Sequence, residues 1–251
     1  MEINIITFLL VCPMVFLAGL IDSIAGGGGL ISLPAYMIAG VPPHYALGTN
    51  KLSSCIGTVA STARYIKNKS VNYRIGIVSV ILALGGSFLG ANLALMVREE
   101  VIKNLLLFVL PFTAFFVLRN KKTEDKRKPL SERTTFIIAC IASFFIAIYD
   151  GFYGPGTGTF LLLCYTALAR MDIKTASGNT KIVNLSSNVA ALATFLLHGK
   201  LILVLGLTAA VFSIAGHYIG SGLVLKKGYK IVKPIMVLVL ALLFVSLLIE
   251  R

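Results

Sequence analysis

Charge is scarce in this sequence, and one sign dominates what there is. Asp, Glu, Lys and Arg make up 13% of 251 residues, about half the share found in soluble domains. With 57% hydrophobic residues and a mean hydropathy of +0.90, that deficit excludes an ordinary soluble domain and identifies an integral membrane protein. Acids number 10 against 23 Lys and Arg, a net charge of +13. The basic residues sit in loops between apolar runs, as positive residues held on the cytoplasmic side do. No separate basic domain or RNA-binding aromatic motif occurs, which argues against a nucleic-acid partner. Cysteines are few: Cys12, Cys55, Cys140 and Cys164 lie in apolar stretches without CxxC spacing or a nearby His, so they read as reduced packing residues and not as metal ligands. No Ser-His-Asp order, HExxH or paired catalytic Asp set appears. The chain therefore reads as a non-enzyme without a cofactor. Its first apolar run follows Met1 and Glu2 with no basic leader and no clear cleavage site, and reads as a retained segment rather than a signal peptide.

Long apolar runs are what the sequence does contain: 3–22, a short piece 30–41, 44–66, 74–97 and 101–118, then, after a polar linker, 134–149, a short piece 158–169, 175–197, 201–225 and 231–249. Continuous runs predict helices, because a membrane barrel would alternate over segments of about ten residues. At roughly 20 residues per crossing, the chain is an all-α polytopic membrane protein of about 8–10 transmembrane segments, with no room for a soluble catalytic domain. The two short pieces reach only about 18 Å of a core roughly 30 Å thick, which predicts half-helices or re-entrant segments.

The pattern recurs in detail. An offset of 128 residues carries Asp22 onto Asp150, Gly26 onto Gly154 and Gly28 onto Gly156; an offset of 130 carries Ala46 onto Ala176, Gly48 onto Gly178, Lys51 onto Lys181, Gly86 onto Gly216, Gly90 onto Gly220 and Lys103 onto Lys233. Duplication of a unit of about 125 residues is characteristic of secondary transporters. It divides the chain into a first repeat (1–118), a basic cytoplasmic linker (119–133) and a second repeat (134–251). The loop with Arg64, Lys67, Lys69 and Arg74 is strongly basic, as is the linker with Arg119, Lys121, Lys122, Lys126, Arg127, Lys128 and Arg133, while the turn with Arg98, Glu99, Glu100 and Lys103 is balanced. In the second half the bias swaps: Lys200 alone marks the first equivalent turn, and Lys226, Lys227, Lys230 and Lys233 the last. Corresponding loops then face opposite sides of the membrane. This predicts two inverted repeats of five segments each, every repeat holding a Gly-broken short helix, with both termini outside.

Two polar devices stand out inside the apolar runs. Asp22 is followed by Gly26, Gly27, Gly28 and Gly29, and Asp150 by Gly151, Gly154, Pro155, Gly156, Thr157 and Gly158. Four successive glycines, each costing up to about 1 kcal/mol relative to Ala in a helix, predict a break. At membrane depth a break is tolerated only where freed backbone is buried or lines a cavity. Each following half-helix would then aim free N–H groups and a positive dipole end at a shared site, which suits a small anion. The plainer reading is close helix packing, as expected at Gly86, Gly90, Gly216 and Gly220. The run lacks the Lys-Ser/Thr of a nucleotide-binding loop.

The second device is the run Thr49, Asn50, Lys51 with its copy Asn179, Thr180, Lys181, continued by Asn184, Ser187 and Asn188 along one helix face. A mid-helix Lys costs roughly 2.5–3.5 kcal/mol on insertion scales, so one per repeat has a purpose. Lys51 and Lys181 are candidates for substrate binding or for structural pairing with Asp22 or Asp150. The neutral Asn and Thr donors suit an oxyanion. Asp22 and Asp150 could couple transport to a proton or ion, act as helix caps, or pair with lysines. His217 stands opposite Ser87 of the first repeat and reads as packed and hydrogen-bonded; His44 and His198 fall at segment ends.

The stretches Ala25–Leu30 with Pro34, Ala46–Lys51, Tyr149–Gly158 and Lys181–Asn188 resemble those of the TauE/SafE family of sulfite-exporter-like permeases. The resemblance covers nearly the whole chain. It implies a multi-pass plasma-membrane transporter of small anions, often sulfur oxyanions or organosulfonates. Gly154-Pro155-Gly156-Thr157-Gly158 stands where many relatives carry consecutive glycines, which leaves the substrate open. The expectation is a secondary transporter that binds a small anion through the glycine breaks, Thr49, Asn50, Asn179, Thr180 and Asn184, with Lys51 and Lys181. A passive anion channel and a structural or assembly role are the alternatives. Import or export, the coupling ion and the oligomeric state are not legible.

Overall fold

The computed structural model describes residues 4–98, 101, 130–228, 230–232 and 234–235. The apolar run 101–118 beyond its first residue, Glu99, Glu100, Lys103, the linker residues Arg119 to Lys128, Lys233 and most of the run 231–249 lie outside the described residues.

Every described element is helical; five begin at a side-chain cap or a proline, the two short helices begin at glycine breaks, and the last begins after Ile202 without a side-chain cap. Helix α1 (Ile5–Ala25) starts at Asn4, whose side chain accepts from the Thr7 N–H, and stops at Gly26. A short α2 (Gly29–Ile38) follows, then α3 (Pro43–Lys67), which opens on a proline. Asn72 caps α4 (Tyr73–Met96) and Ser131 caps α5 (Glu132–Phe152). The second short helix, α6 (Thr157–Leu163), runs into a wider π-type turn at Cys164–Leu168. Asp172 caps α7 (Ile173–Leu197), and α8 (Leu203–Lys227) follows. Among the described residues, α1, α4, α5, α7 and α8 are long and apolar enough to cross a membrane, with Gly29–Ile38 and Thr157–Leu168 as shorter apolar helices. Helix α3 is as long as α7 and α8 but carries the polar run. The two short pieces expected from the sequence are thus present to within one to three residues.

Packing reciprocates between the halves. Helix α1 packs on α8, and its counterpart α5 packs on α4. A Cβ on Gly216 would lie 2.2 Å from the Phe16 carbonyl oxygen and one on Gly86 2.6 Å from that of Phe144; Gly220 against Leu20 (2.4 Å) repeats as Gly90 against Ile148 (2.0 Å). These four glycines are the close-packing residues the sequence suggested. The start of α3 meets the turn after α7, where a Cβ on Gly48 would sit 1.9 Å from the Lys200 oxygen, and the start of α7 meets the turn after α3, with Gly178 1.8 Å from the Ser70 oxygen. Helices α3 and α7 therefore run in opposite directions.

The apolar interior is split between the two ends of the bundle. One buried cluster includes Ile24, Tyr65, Ile75, Tyr165 and Val224, and the other Val11, Tyr36, Leu47, Phe195 and Leu205. Between them the interior is polar: Lys51, Asp150, Lys181, Asn188 and His217 are all buried. The outward faces carry Ile77, Ile81, Phe145, Val204 and Val211, each more than 60% exposed. Apolar outside and polar at the waist is the arrangement a lipid environment favours.

Candidate functional site

Both glycine breaks open onto one cavity. In the first, Gly26 donates to the Asp22 carbonyl, and Gly26 and Gly27 take φ of 77° and 88°, a left-handed conformation costly for any residue with a Cβ. Gly28 donates to Asp22 Oδ1 (3.3 Å), and α2 begins. In the second, Gly154 and Gly156 take φ of 100° and 87°, and the Thr157 hydroxyl closes the turn onto the Gly154 carbonyl at 2.7 Å. The breaks lie back to back: a Cβ on Gly26 would stand 2.2 Å from the Gly158 carbonyl carbon, and the Thr159 hydroxyl donates to the Ala25 carbonyl (3.0 Å).

The wall of the cavity includes Asp22, Gly27, Gly28, Gly29, Asn50, Lys51, Asp150, Gly154, Gly156, Thr157, Asn184 and His217. The N–H groups of Gly27, Gly29, Gly156 and Gly158, all on that wall, take no acceptor among the described residues. They are the orphan donors of two helix starts, and each start adds the positive end of a dipole.

The four interior charges pair crosswise between the halves. Lys51 Nζ lies 3.0 Å from Asp150 Oδ1, with both side chains 3% exposed. Lys181 Nζ lies 2.6 Å from Asp22 Oδ2 and also donates to the Asp22 carbonyl. Each lysine thus meets the acid of the other repeat. Ser187 donates to Asp150 Oδ2, and His217 Nε2 lies 3.2 Å from Asp22 Oδ2. A hydrogen-bond chain leaves Lys51: its Nζ donates to Asn188 Oδ1 (3.1 Å) and Asn188 Nδ2 donates to Asn184 Oδ1 (2.9 Å). That orients the remaining Asn184 amide donors toward the second break, where a Cβ on Gly158 would be 3.6 Å from Asn184 Nδ2. Ser32 donates to Asn50 Oδ1 (2.7 Å), which fixes the amide of Asn50 in the same way.

Of the residues singled out by sequence, Thr49, Asn179, Thr180, Lys181 and Gly26 are not on this wall. Thr49 accepts from the Ile202 N–H (3.0 Å), pinning the α7–α8 turn. Asn179 Nδ2 donates to the Thr175 carbonyl, while its Oδ1 and the Thr180 hydroxyl are buried without a hydrogen-bond partner among the described residues. Gly26 makes the contact between the breaks, and Lys181 stands behind Asp22. Conversely, Ser32, Ser54, Asn188, Ser213 and His217 are on the wall. Helical spacing holds a signal for some of them, since Asn50 with Ser54, Asn184 with Asn188 and Ser213 with His217 are i, i+4 pairs.

The model of the family described as sulfite exporter TauE/SafE matches residues 11–247. A "Probable membrane transporter protein ORF9" of Sinorhizobium sp is 37% identical over 98% of this chain and 93% of its own length. The "Probable membrane transporter protein YfcA" of Escherichia coli K12 is 37% identical over 92% of this chain and 86% of its own. A "Probable membrane transporter protein" of Haemophilus influenzae is 33% identical over 95% and 93%. No solved structure matches the chain.

Proposed function

The chain belongs to the sulfite exporter TauE/SafE family, a multi-pass protein of the cell membrane, and from that premise we propose that it is a secondary transporter of a small anion. The substrate class is a sulfur-containing oxyanion or organosulfonate, moved by alternating access between two inverted halves. The observation that carries the reading is the meeting of two glycine-broken helix starts at one cavity with unpaired N–H donors. Broken helices at the bilayer midplane are how inverted-repeat transporters present positive dipole ends to anionic groups.

The anion is held by backbone N–H groups of both breaks and by the neutral amides of Asn50 and Asn184. Thr157 shapes the second break. Lys51 supplies positive field from the wall while Asp150 neutralises most of it, so the site binds without trapping. Lys181 and Asp22 hold the halves together, and Thr49, Asn179 and Thr180 act at the ends of the polar runs. Opposite directions of α3 and α7 and the reciprocal glycine contacts support inversion. The cavity is asymmetric in a way that supports alternation: it runs along Val15, Ala18 and Gly19, and their counterparts Ser143, Ile146 and Ala147 are absent from its wall. Rocking exchanges the two sets.

Proteoliposomes loaded with unlabelled thiosulfate or isethionate test the reading by counterflow. Saturable uptake of labelled anion, accelerated by anion inside, is expected, with uptake in Asn50→Asp reduced about tenfold or more because a carboxylate then faces the anion. Linear, non-saturating flux would replace the carrier by a channel.

A further inference from the structure

We propose that His217 is the proton-binding residue that couples transport to the pH gradient, an inference that rests on the anion-carrier reading. The sequence singled out Asp22 and Asp150 for coupling, but each of those carboxylates is committed to a lysine of the other half. Asp22, Asp150, Lys51 and Lys181 together sum to zero charge. His217 is the titratable side chain of the described wall that stands outside that balance, and histidine is the side chain that ordinarily changes charge between about pH 5 and 8.

The surroundings of the ring give both protonation states a set of partners. Nδ1 lies 2.9 Å from the Ser213 carbonyl oxygen, which can only accept, and 3.3 Å from the Ser213 hydroxyl, which can accept as well, so the shorter contact favours a proton on Nδ1. Nε2 lies 3.2 Å from Asp22 Oδ2 and 3.3 Å from Thr58 Oγ1. With a proton on Nε2, the imidazolium donates to Asp22, beside Lys181. When that proton leaves to cavity water, the Thr58 hydroxyl donates to the bare nitrogen and Asp22 retains Lys181 and the Gly28 N–H. From every element packed on α8, the groups facing the ring are Asp22 and Gly19 of α1, and Gly57 and Thr58 of α3. Lys181 of α7 acts through Asp22, Lys51 of α3 lies across the cavity beside Asp150, and Arg64 of α3 is turned to the Tyr218 carbonyl.

The slot for the ring is built in one half alone. A Cβ on Gly19 or on Gly57 would stand 2.7 Å from Nδ1. Their counterparts are Ala147 and Ser187, and the counterpart of His217 is Ser87, which donates to the Ser187 carbonyl. The second-half acid, Asp150, has Ser187 where Asp22 has an imidazole. One titratable group breaks the symmetry of the site, so one proton accompanies each anion and adds the positive charge that favours its entry.

The test uses thiosulfate, sulfate and isethionate, which stay ionised from pH 5 to 8 and carry no proton themselves, with the full-length protein in proteoliposomes enclosing a pH dye. Wild type is expected to acidify the lumen in step with tracer entry and to slow about tenfold or more from pH 6 to pH 8. In His217→Gln, tracer that enters should do so without acidification and at a pH-independent rate. Thr58→Val removes the donor to the neutral ring and should move the pH profile of uptake to higher pH. Acidification at the wild-type ratio in His217→Gln would overturn the proposal, as would an inactive His217→Gln together with an unmoved profile in Thr58→Val. Failure of wild type to move any of the three anions would instead overturn the anion-carrier reading beneath it.

Discussion

Replacing Lys51 by methionine keeps the side-chain stem and removes the charge, leaving buried Asp150 with the Ser187 hydroxyl as its side-chain partner among the described residues. At 3.0 Å and an effective dielectric of about 20, the lost attraction is about 5.5 kcal/mol. The lysine's own desolvation is also relieved, so the net cost should fall in the range of about 3–5 kcal/mol measured when one partner of a buried pair is removed. Lys51→Met/Asp150→Leu removes both charges and should recover most of that loss, because an apolar pair of similar volume is often neutral. The cycle, read from thermal unfolding in detergent, should give a coupling energy of about 3 kcal/mol or more. Lys181→Met should cost less, since Asp22 keeps His217 and the Gly28 N–H and its side chain is 14% exposed. Additive effects at Lys51 and Asp150, or a double variant as unstable as the single, would refute the crosswise pairing as a buried, mutually dependent unit.

Further outcomes follow from the same geometry. Gly26→Ala should abolish folded protein or transport, because its Cβ would stand 2.2 Å from the Gly158 backbone at φ of 77°, whereas Gly85→Ala, with nothing within 4 Å, should be neutral by monodispersity and unfolding temperature. Gly48→Ala and Gly178→Ala should each destabilise by about 1–3 kcal/mol through overpacking against the Lys200 and Ser70 carbonyls. Thr49→Val should lower thermal stability by about 1 kcal/mol through the unpaired Ile202 N–H, with little change in apparent anion affinity in counterflow.

The helices, the two short segments and the glycine breaks were legible because lipid demands long apolar runs and Gly26, Gly27, Gly154 and Gly156 have no other place in such runs. The duplication also pointed to Asp22, Asp150, Lys51 and Lys181. Which acid meets which lysine was not legible, since an offset of 128 or 130 residues reports equivalence, not proximity; the pairs form across the repeats. Nor could residue type separate Asn50, on the cavity, from Thr49, which faces the α7–α8 turn: adjacent helical residues point about 100° apart, and the direction of the cavity is set by packing. His217 stood out as a departure from Ser87, but that Gly19 and Gly57, which replace Ala147 and Ser187, make room for it follows only from packing. Taken together they mark a slot, which single positions do not.

Paired cysteine accessibility tests alternation between the halves most directly. In a background with the four native cysteines replaced, Val15→Cys and Ser143→Cys place near-isosteric thiols at equivalent positions of the two repeats, one on the cavity wall and one off it. Conditions that shift the transporter between its facing states, such as saturating anion or a change of pH, should raise the labelling rate of one thiol as they lower that of the other. Labelling rates that rise and fall together would contradict exchange of access between two inverted halves.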